Sequence, residues 1–142
     1  MALDIGEKRI GIATSDPQGC VASPLCVLDA HAVANNGREW THLLNEWEPD
    51  ALVFGQPLGL SGEPTAQTTR VQKIGNEIAT RAELPCFFVD ERLSSKQAKQ
   101  ALRDMGYDEK RMRGKVDMLA AAIFLQSWLD EQHVKTDAQK NK

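Results

Sequence analysis

The sequence predicts an α/β fold in which an antiparallel meander runs into parallel strands, giving a mixed five-stranded sheet with helices on both faces. Three observations carry that prediction. The first 27 residues hold three apolar segments separated only by short turns. Two later apolar runs, Ala51 to Gly55 and Cys86 to Val89, are short and continuous, the pattern of strands buried on both faces. Segments with helical spacing alternate with those runs, as parallel strands with crossover helices require.

Each element has its own signal. Ala2 to Ile5 and Arg9 to Thr14, where Ile10 and Ile12 alternate, flank a turn at Gly6-Glu7-Lys8 and read as paired strands. After the Asp16-Pro17-Gln18-Gly19 turn, Val21 to Val27 is the third strand. Asn35 or Asn36 is the N-cap expected for a helix carrying Trp40, Leu43, Leu44 and Trp47, which Pro49 stops. Ala51 to Gly55 is the fourth strand. Beyond the loop QPLGLSGEPT, Val71, Ile74 and Ile78 mark a helix, and Cys86 to Val89 is the fifth strand. Ser94 with Gln97 three residues on has the pattern of a capping box, opening a helix that Gly106 closes. A last helix from Lys115 to Gln132 is apolar nearly all round and is therefore expected to be buried.

The 142 residues, 42% of them hydrophobic, suffice for one domain, expected over 1–132 and followed by a polar, flexible tail over 133–142. No apolar run approaches the roughly 20 residues that span a bilayer, and no leader pattern precedes the first strand, so no membrane contact and a cytoplasmic location are expected. Cys20, Cys26 and Cys86 lack metal or disulfide spacing and read as small buried hydrophobes. The net charge of -3 excludes a protein that coats nucleic acid through bulk positive charge. Between Arg92 and Lys115, however, eight Lys or Arg face three acids, leaving the rest of the chain at -8. That stretch is either a solvated helix face or a phosphate-contacting strip.

Ligands of open α/β sheets collect at the carboxyl ends of the parallel strands. Asp4 inside the first strand, Asp90 and Glu91 at the end of the fifth, and Asp117 at the start of the apolar last helix are the acids available there. Singly, each has an ordinary structural reading as a turn, strand-end or helix-dipole residue. Together, in apolar surroundings, they resist ionisation unless a cation pairs them, and a hard divalent cation with oxygen ligands meets that need. Asp90 and Glu91 point to opposite faces if the strand persists, and the longer Glu91 is preferred as the primary ligand, with Asp90 as a further candidate. Ala120 to Ala122 would let the last helix lie close on the sheet and bring Asp117 to the strand ends. The loop GQPLGLSGEP offers backbone N–H groups for a phosphate.

DIGEKRIGIATSD, GQPLGLSG, VDERLSSKQA and KVDMLAAAIFLQSWLD, in that order, resemble the successive blocks of the YqgF/RuvX family, Holliday-junction-resolvase-like proteins described as candidate pre-16S rRNA nucleases. The resemblance runs from Leu3 to about Asp130. It implies an RNase H-like fold and a metal-dependent phosphodiesterase site carried by Asp4, Glu91 and Asp117. Two ions of Mg2+ or Mn2+, about 4 Å apart, are the implied cofactor. Lys8, Arg9 and Arg92 fall in the matching blocks and are assigned, with Lys96, Arg113 and Lys115, to contacts with nucleic acid. Two departures stand out: only Met1, Ala2 and Leu3 precede the first aspartate, and Gly55-Gln56-Pro57 stands where related RNase H-like proteins often carry an acid.

The resulting expectation is a nuclease of structured nucleic acid, processing the 5' end of pre-16S rRNA, with branched DNA as the other substrate class. A non-catalytic nucleic-acid-binding module would keep the basic strip without the metal. A phosphotransfer ATPase would need a second lobe to close on its nucleotide. Nothing in the sequence separates monomer from homodimer.

Overall fold

The computed structural model describes residues 1–140. Five strands form one sheet: β1 (Ala2–Ile5), β2 (Arg9–Ser15), β3 (Ala22–Asp29), β4 (Leu52–Gln56) and β5 (Cys86–Asp90). Their spatial order is β3-β2-β1-β4-β5, with β1–β2 and β2–β3 antiparallel and β1–β4 and β4–β5 parallel. The meander and the parallel half therefore meet at β1. That strand has only four residues, yet it is held from both sides: Ala2 to Ile5 pair with Ala13 to Ile10, the Val53 N–H donates to the Met1 carbonyl at 2.9 Å, and the Met1 amine donates to the Ala51 carbonyl at 3.1 Å.

Period-two alternation sorts the strand residues between two helical layers. Leu3, Ile5, Ile10, Ile12, Leu52 and Phe54 pack with Val33 of α1 (Ala30–Ala34), Trp40 of α2 (Arg38–Trp47) and Val71 and Ile78 of α3 (Ala66–Ala82). Ala2, Ala13 and Val53 lie on the other face, with Ala121, Phe124, Leu125 and Leu129 of α6 (Lys115–Lys140). The remaining helices are α4 (Ser94–Asp104), which packs on α6, and the single turn α5 (Glu109–Met112).

Several local expectations change. The helix before β4 starts at Arg38 with Gly37 as its N-cap; Asn36 instead takes φ 55° in the link from α1, whose own cap is the Asp29 carboxylate receiving the His31 and Ala32 N–H groups. Ser94 is the first residue of α4 and is buried, not a cap: the Leu93 position before it makes no side-chain capping bond. The capping box occurs at α3, where Thr65 and Thr68 bond each other's backbone N–H groups. The last helix does not stop at Gln132 but runs to Lys140. Its final turns are made of good helix formers, with Glu131 paired to Lys135 at 3.4 Å. The flexibility expected over 133–142 falls partly on Asn141 and Lys142, outside the described residues. Cys20 is exposed and Cys26 and Cys86 are half-buried, all three as free thiols.

Candidate active site

Asp4 shares the α6 face of the sheet with Ala2, one pleat along β1. Opposite it in the antiparallel register is Gly11, and a Cβ there would overlap the backbone carbonyl of Asp117. The first turn of α6 thus lies directly on the β2 backbone at the only kind of residue that leaves room for it. Ala120, Ala121 and Ala122, all buried, continue that close approach.

On the other side of Asp4, the register that pairs Leu3 with Phe54 sets Gly55 beside the aspartate. A Cβ on Gly55 would overlap the Glu91 carboxylate and press to 2.7 Å on the Phe124 ring. The missing side chain at the end of β4 is therefore the space through which the acid from the end of β5 reaches Asp4. Parity places it there too, since Phe87, Val89 and Glu91 continue on one face: the Phe87 ring lies tilted against Trp128, centres 5.2 Å apart, and Val89 packs with the α6 cluster.

The three acids sense each other. Burial, followed by the nearby Glu91, pushes the Asp4 carboxyl up to about 9, and Asp117 adds to the effect. The Glu91 carboxyl is also raised, chiefly by burial, with Asp90 and Asp117 contributing and proton sharing with Asp4 opposing. Burial raises Asp117 as well, against the pull of the Arg9 guanidinium, whose Nε stands 3.4 Å from its carboxylate. A proton held between Asp4 and Glu91 and a cation beside Asp117 offset the charge of the cluster.

Oε2 of Glu91 is buried without a hydrogen-bond partner, and the donor set is all carboxylate oxygen. That chemistry fits a hard divalent cation of the Mg2+ or Mn2+ type. The side chains are not closed on one point: among the described residues no three His, Cys, Asp or Glu form a ready ligand cage, and Asp117 is turned towards Arg9.

Lys8, Arg9 and Arg113 line a cleft of about 480 Å³ with Gly6, Glu7 and Asp117, next to the acids. Lys115 is turned onto the Tyr107 ring, 4.2 Å from its centre, and Arg111 lies 4.9 Å from the same ring. Lys96 is exposed on α4, outside the cleft. Asp90 and Arg92 face one another: Nε of Arg92 donates to Asp90 Oδ2 at 2.7 Å and Nη2 stands 2.7 Å from the same oxygen, holding the Asp90 carboxyl below its ordinary range. The glycine-rich loop uses its own N–H groups, Gly59 donating to the Glu63 carbonyl, Ser61 to the Glu63 carboxylate and Gly62 to the Gly59 carbonyl. It is a closed turn, not a free cradle for phosphate.

Reading the sequence missed Gly11, Gly55 and Tyr107. The two glycines had a visible signal, since each interrupts an otherwise bulky strand beside an acid-bearing neighbour. No helix of the described residues is long and apolar enough to cross a membrane.

Comparison with known proteins places this geometry in context. Residues 1–131 match the family profile described as "RuvX: Holliday junction resolvase". A protein of Roseiflexus sp. (strain RS-1) named "Putative pre-16S rRNA nuclease" is 39% identical over 132 residues, 93% of this chain and 94% of the relative. One from Dechloromonas aromatica (strain RCB), with the same name, is 38% identical over 133 residues, 94% of this chain and 91% of that one. Among solved structures, Thermus thermophilus RuvC aligns with a TM-score of 0.52 at 17% identity, over 92% of this chain and 93% of that one. The same protein in complex with a Holliday junction substrate aligns with a TM-score of 0.54 at 17% identity, over 92% of each chain. At that identity the likeness is one of fold, and it identifies the mixed sheet as RNase H-like.

Proposed function

The chain belongs to the RuvX family, and from that premise we propose that it is a divalent-metal-dependent nuclease that hydrolyses phosphodiester bonds of structured RNA, processing the 5' end of pre-16S rRNA in the cytoplasm. The observation that carries this reading is the half-buried trio Asp4, Glu91 and Asp117, drawn from three distant segments across the gaps left by Gly11 and Gly55. Ribosome biogenesis is the process to which the names of the relatives point.

In this reading Asp4, Glu91 and Asp117 hold two Mg2+ or Mn2+ ions. When bound, such ions activate a water and stabilise the leaving oxygen of an in-line displacement. Asp4 gives up its proton to take on that role, and Asp117 turns from Arg9. Lys8, Arg9 and Arg113, lining the adjoining cleft, bind the phosphates on one side of the scissile bond. Lys115, Arg111 and Tyr107 extend the basic strip, and Lys96 carries it along α4.

The test is Mg2+-dependent cleavage of a pre-16S rRNA fragment bearing its 5' extension, with a four-way DNA junction in parallel. Cleavage of the RNA by the wild type, lost on chelation and in Asp4→Asn, is the expected result. Equal activity of wild type and variant would remove Asp4 from the site, and cleavage of the junction alone would reassign the substrate to branched DNA.

A further inference from the structure

Glu91 is the one acid of the trio that stands outside a regular element, immediately after β5. Its backbone is tied twice, its N–H donating to the Gln56 carbonyl at 3.3 Å and its carbonyl accepting from the Ser94 N–H at 3.0 Å. Its neighbours close over it. The Arg92 N–H donates to Asp90 Oδ1 at 3.0 Å, and the Arg92 guanidinium donates through Nε to Asp90 Oδ2, with Nη2 2.7 Å from the same oxygen. The same guanidinium donates through Nη1 to the Leu60 carbonyl at 3.2 Å, in the loop after β4. That loop is internally bonded, and Thr68 Oγ1 ties its beginning to α3 through the Pro57 carbonyl. Its tip nevertheless carries Leu60 with a fully exposed side chain.

We propose that Asp90 and Arg92 form a clasp that positions Glu91 and fastens the loop 57–65 beside it, so that Arg92 acts through the Glu91 carboxylate and not by binding phosphate. Three features support this. Nε and Nη1 of the fork donate to protein acceptors and Nη2 lies 2.7 Å from Asp90 Oδ2, so each of its nitrogens already has a protein partner. Asp90, whose side chain points away from the trio by strand parity, is the partner of two of them, Nε and Nη2. The contact to Leu60 also requires a planar fork spanning two acceptors, a geometry that a lysine ammonium on a flexible stem does not reproduce. The loop's exposed leucine is thereby held at a fixed distance from the acid, on the side of the cluster away from Lys8 and Arg113.

This inference rests on the metal-site reading for Glu91, and its test separates the two. Arg92→Lys keeps the charge and removes the fork; Arg92→Ala removes both. Amide hydrogen exchange, which needs no metal, is expected to rise at least fivefold at Gly59 to Gly62 in both variants, while the exchange of the central strands stays unchanged as proof of folding. Mn2+ affinity measured by calorimetry is expected to fall about tenfold in both. The salt dependence of RNA binding is expected to keep its wild-type slope, since no phosphate contact is lost. Unchanged exchange in Arg92→Lys would overturn the clasp. So would wild-type Mn2+ affinity in Arg92→Lys, or a salt slope in Arg92→Ala reduced by about one contact. A wild type that binds no Mn2+ would instead overturn the metal site, with the exchange arm still deciding the clasp.

Discussion

The sheet face beneath α1, α2 and α3 is filled by large side chains, among them Leu3, Ile12, Trp40 and Phe54, whereas around the acids the face beneath α6 is lined by Ala2, Ala13, Ala121 and the glycines at 11 and 55. Both faces arise from the same five strands by alternation, and the central strands β1 and β2 each contribute one bulky and one lean surface. The bulky face buries apolar area and supports the fold. The lean face gives up some of that area, and in exchange a helix approaches the sheet closely enough to set Asp117 beside Asp4, with Glu91 passing over Gly55. On the proposed function, stability and chemistry are divided between the two sides of one sheet.

The sharpest way to break that division is to exchange the effects. Asp4→Asn, on the lean face, is expected to lower the rate of metal-dependent RNA cleavage at least ~10³-fold, about 4 kcal/mol of barrier, without loss of folded stability. Phe54→Ala, on the bulky face, is expected to lower stability by about 4 kcal/mol in urea unfolding, while the protein that remains folded keeps its Mn2+ affinity. Loss of metal binding in Phe54→Ala at a temperature where it is folded would show that the faces are not separable. Gly11→Ala is predicted to do both, because its Cβ must displace the α6 backbone: about 3 kcal/mol of stability and most of the Mn2+ affinity are lost together.

A smaller effect follows from the protonated Asp4. Its carboxyl is raised to about 9 when folded, against about 4 when unfolded, so between those values the folded state binds the extra proton. The contribution of Asp4 to the stability of the metal-free protein is therefore full below pH 4 and is lost as pH rises through 9. Thermal melting is expected to drop by ~5 °C or more between pH 6 and pH 9 without metal, and Asp4→Asn to flatten that drop. A flat wild-type profile would mean that the cluster is not desolvated. Smallest is the difference between two lysines: Lys8→Ala is expected to weaken RNA binding about threefold and reduce its salt slope by about one contact, whereas Lys96→Ala, outside the cleft, changes both less.

How much of this was legible depended on whether the cause was local. The strands of the meander and the parallel pair were readable from alternation and apolar runs, and the order of elements then fixed which strand ends share an edge. Asp4 stood out because it is an acid set between Leu3 and Ile5 in an otherwise apolar strand. Gly11 and Gly55 were not recognised, because what a glycine makes room for here lies 106 and 36 residues further along the chain. Ser94 misled for the same reason. Its three-residue spacing to Gln97 matched a cap, but burial and the Glu91 carbonyl claim its side-chain position and its N–H. The pairing of Asp90 with Arg92, two residues apart, was open to reading and was passed over in favour of metal and phosphate roles.

The central claim is that the lean face assembles Asp4, Glu91 and Asp117 into one site for divalent cations. Calorimetric titration of Mn2+ at pH 8 into the wild type and into Asp4→Asn, Glu91→Gln and Asp117→Asn tests it most directly. The account predicts binding by the wild type in the micromolar to millimolar range and a loss of about tenfold or more in each variant. No binding by the wild type at millimolar Mn2+, or affinities unchanged by all three substitutions, would contradict it.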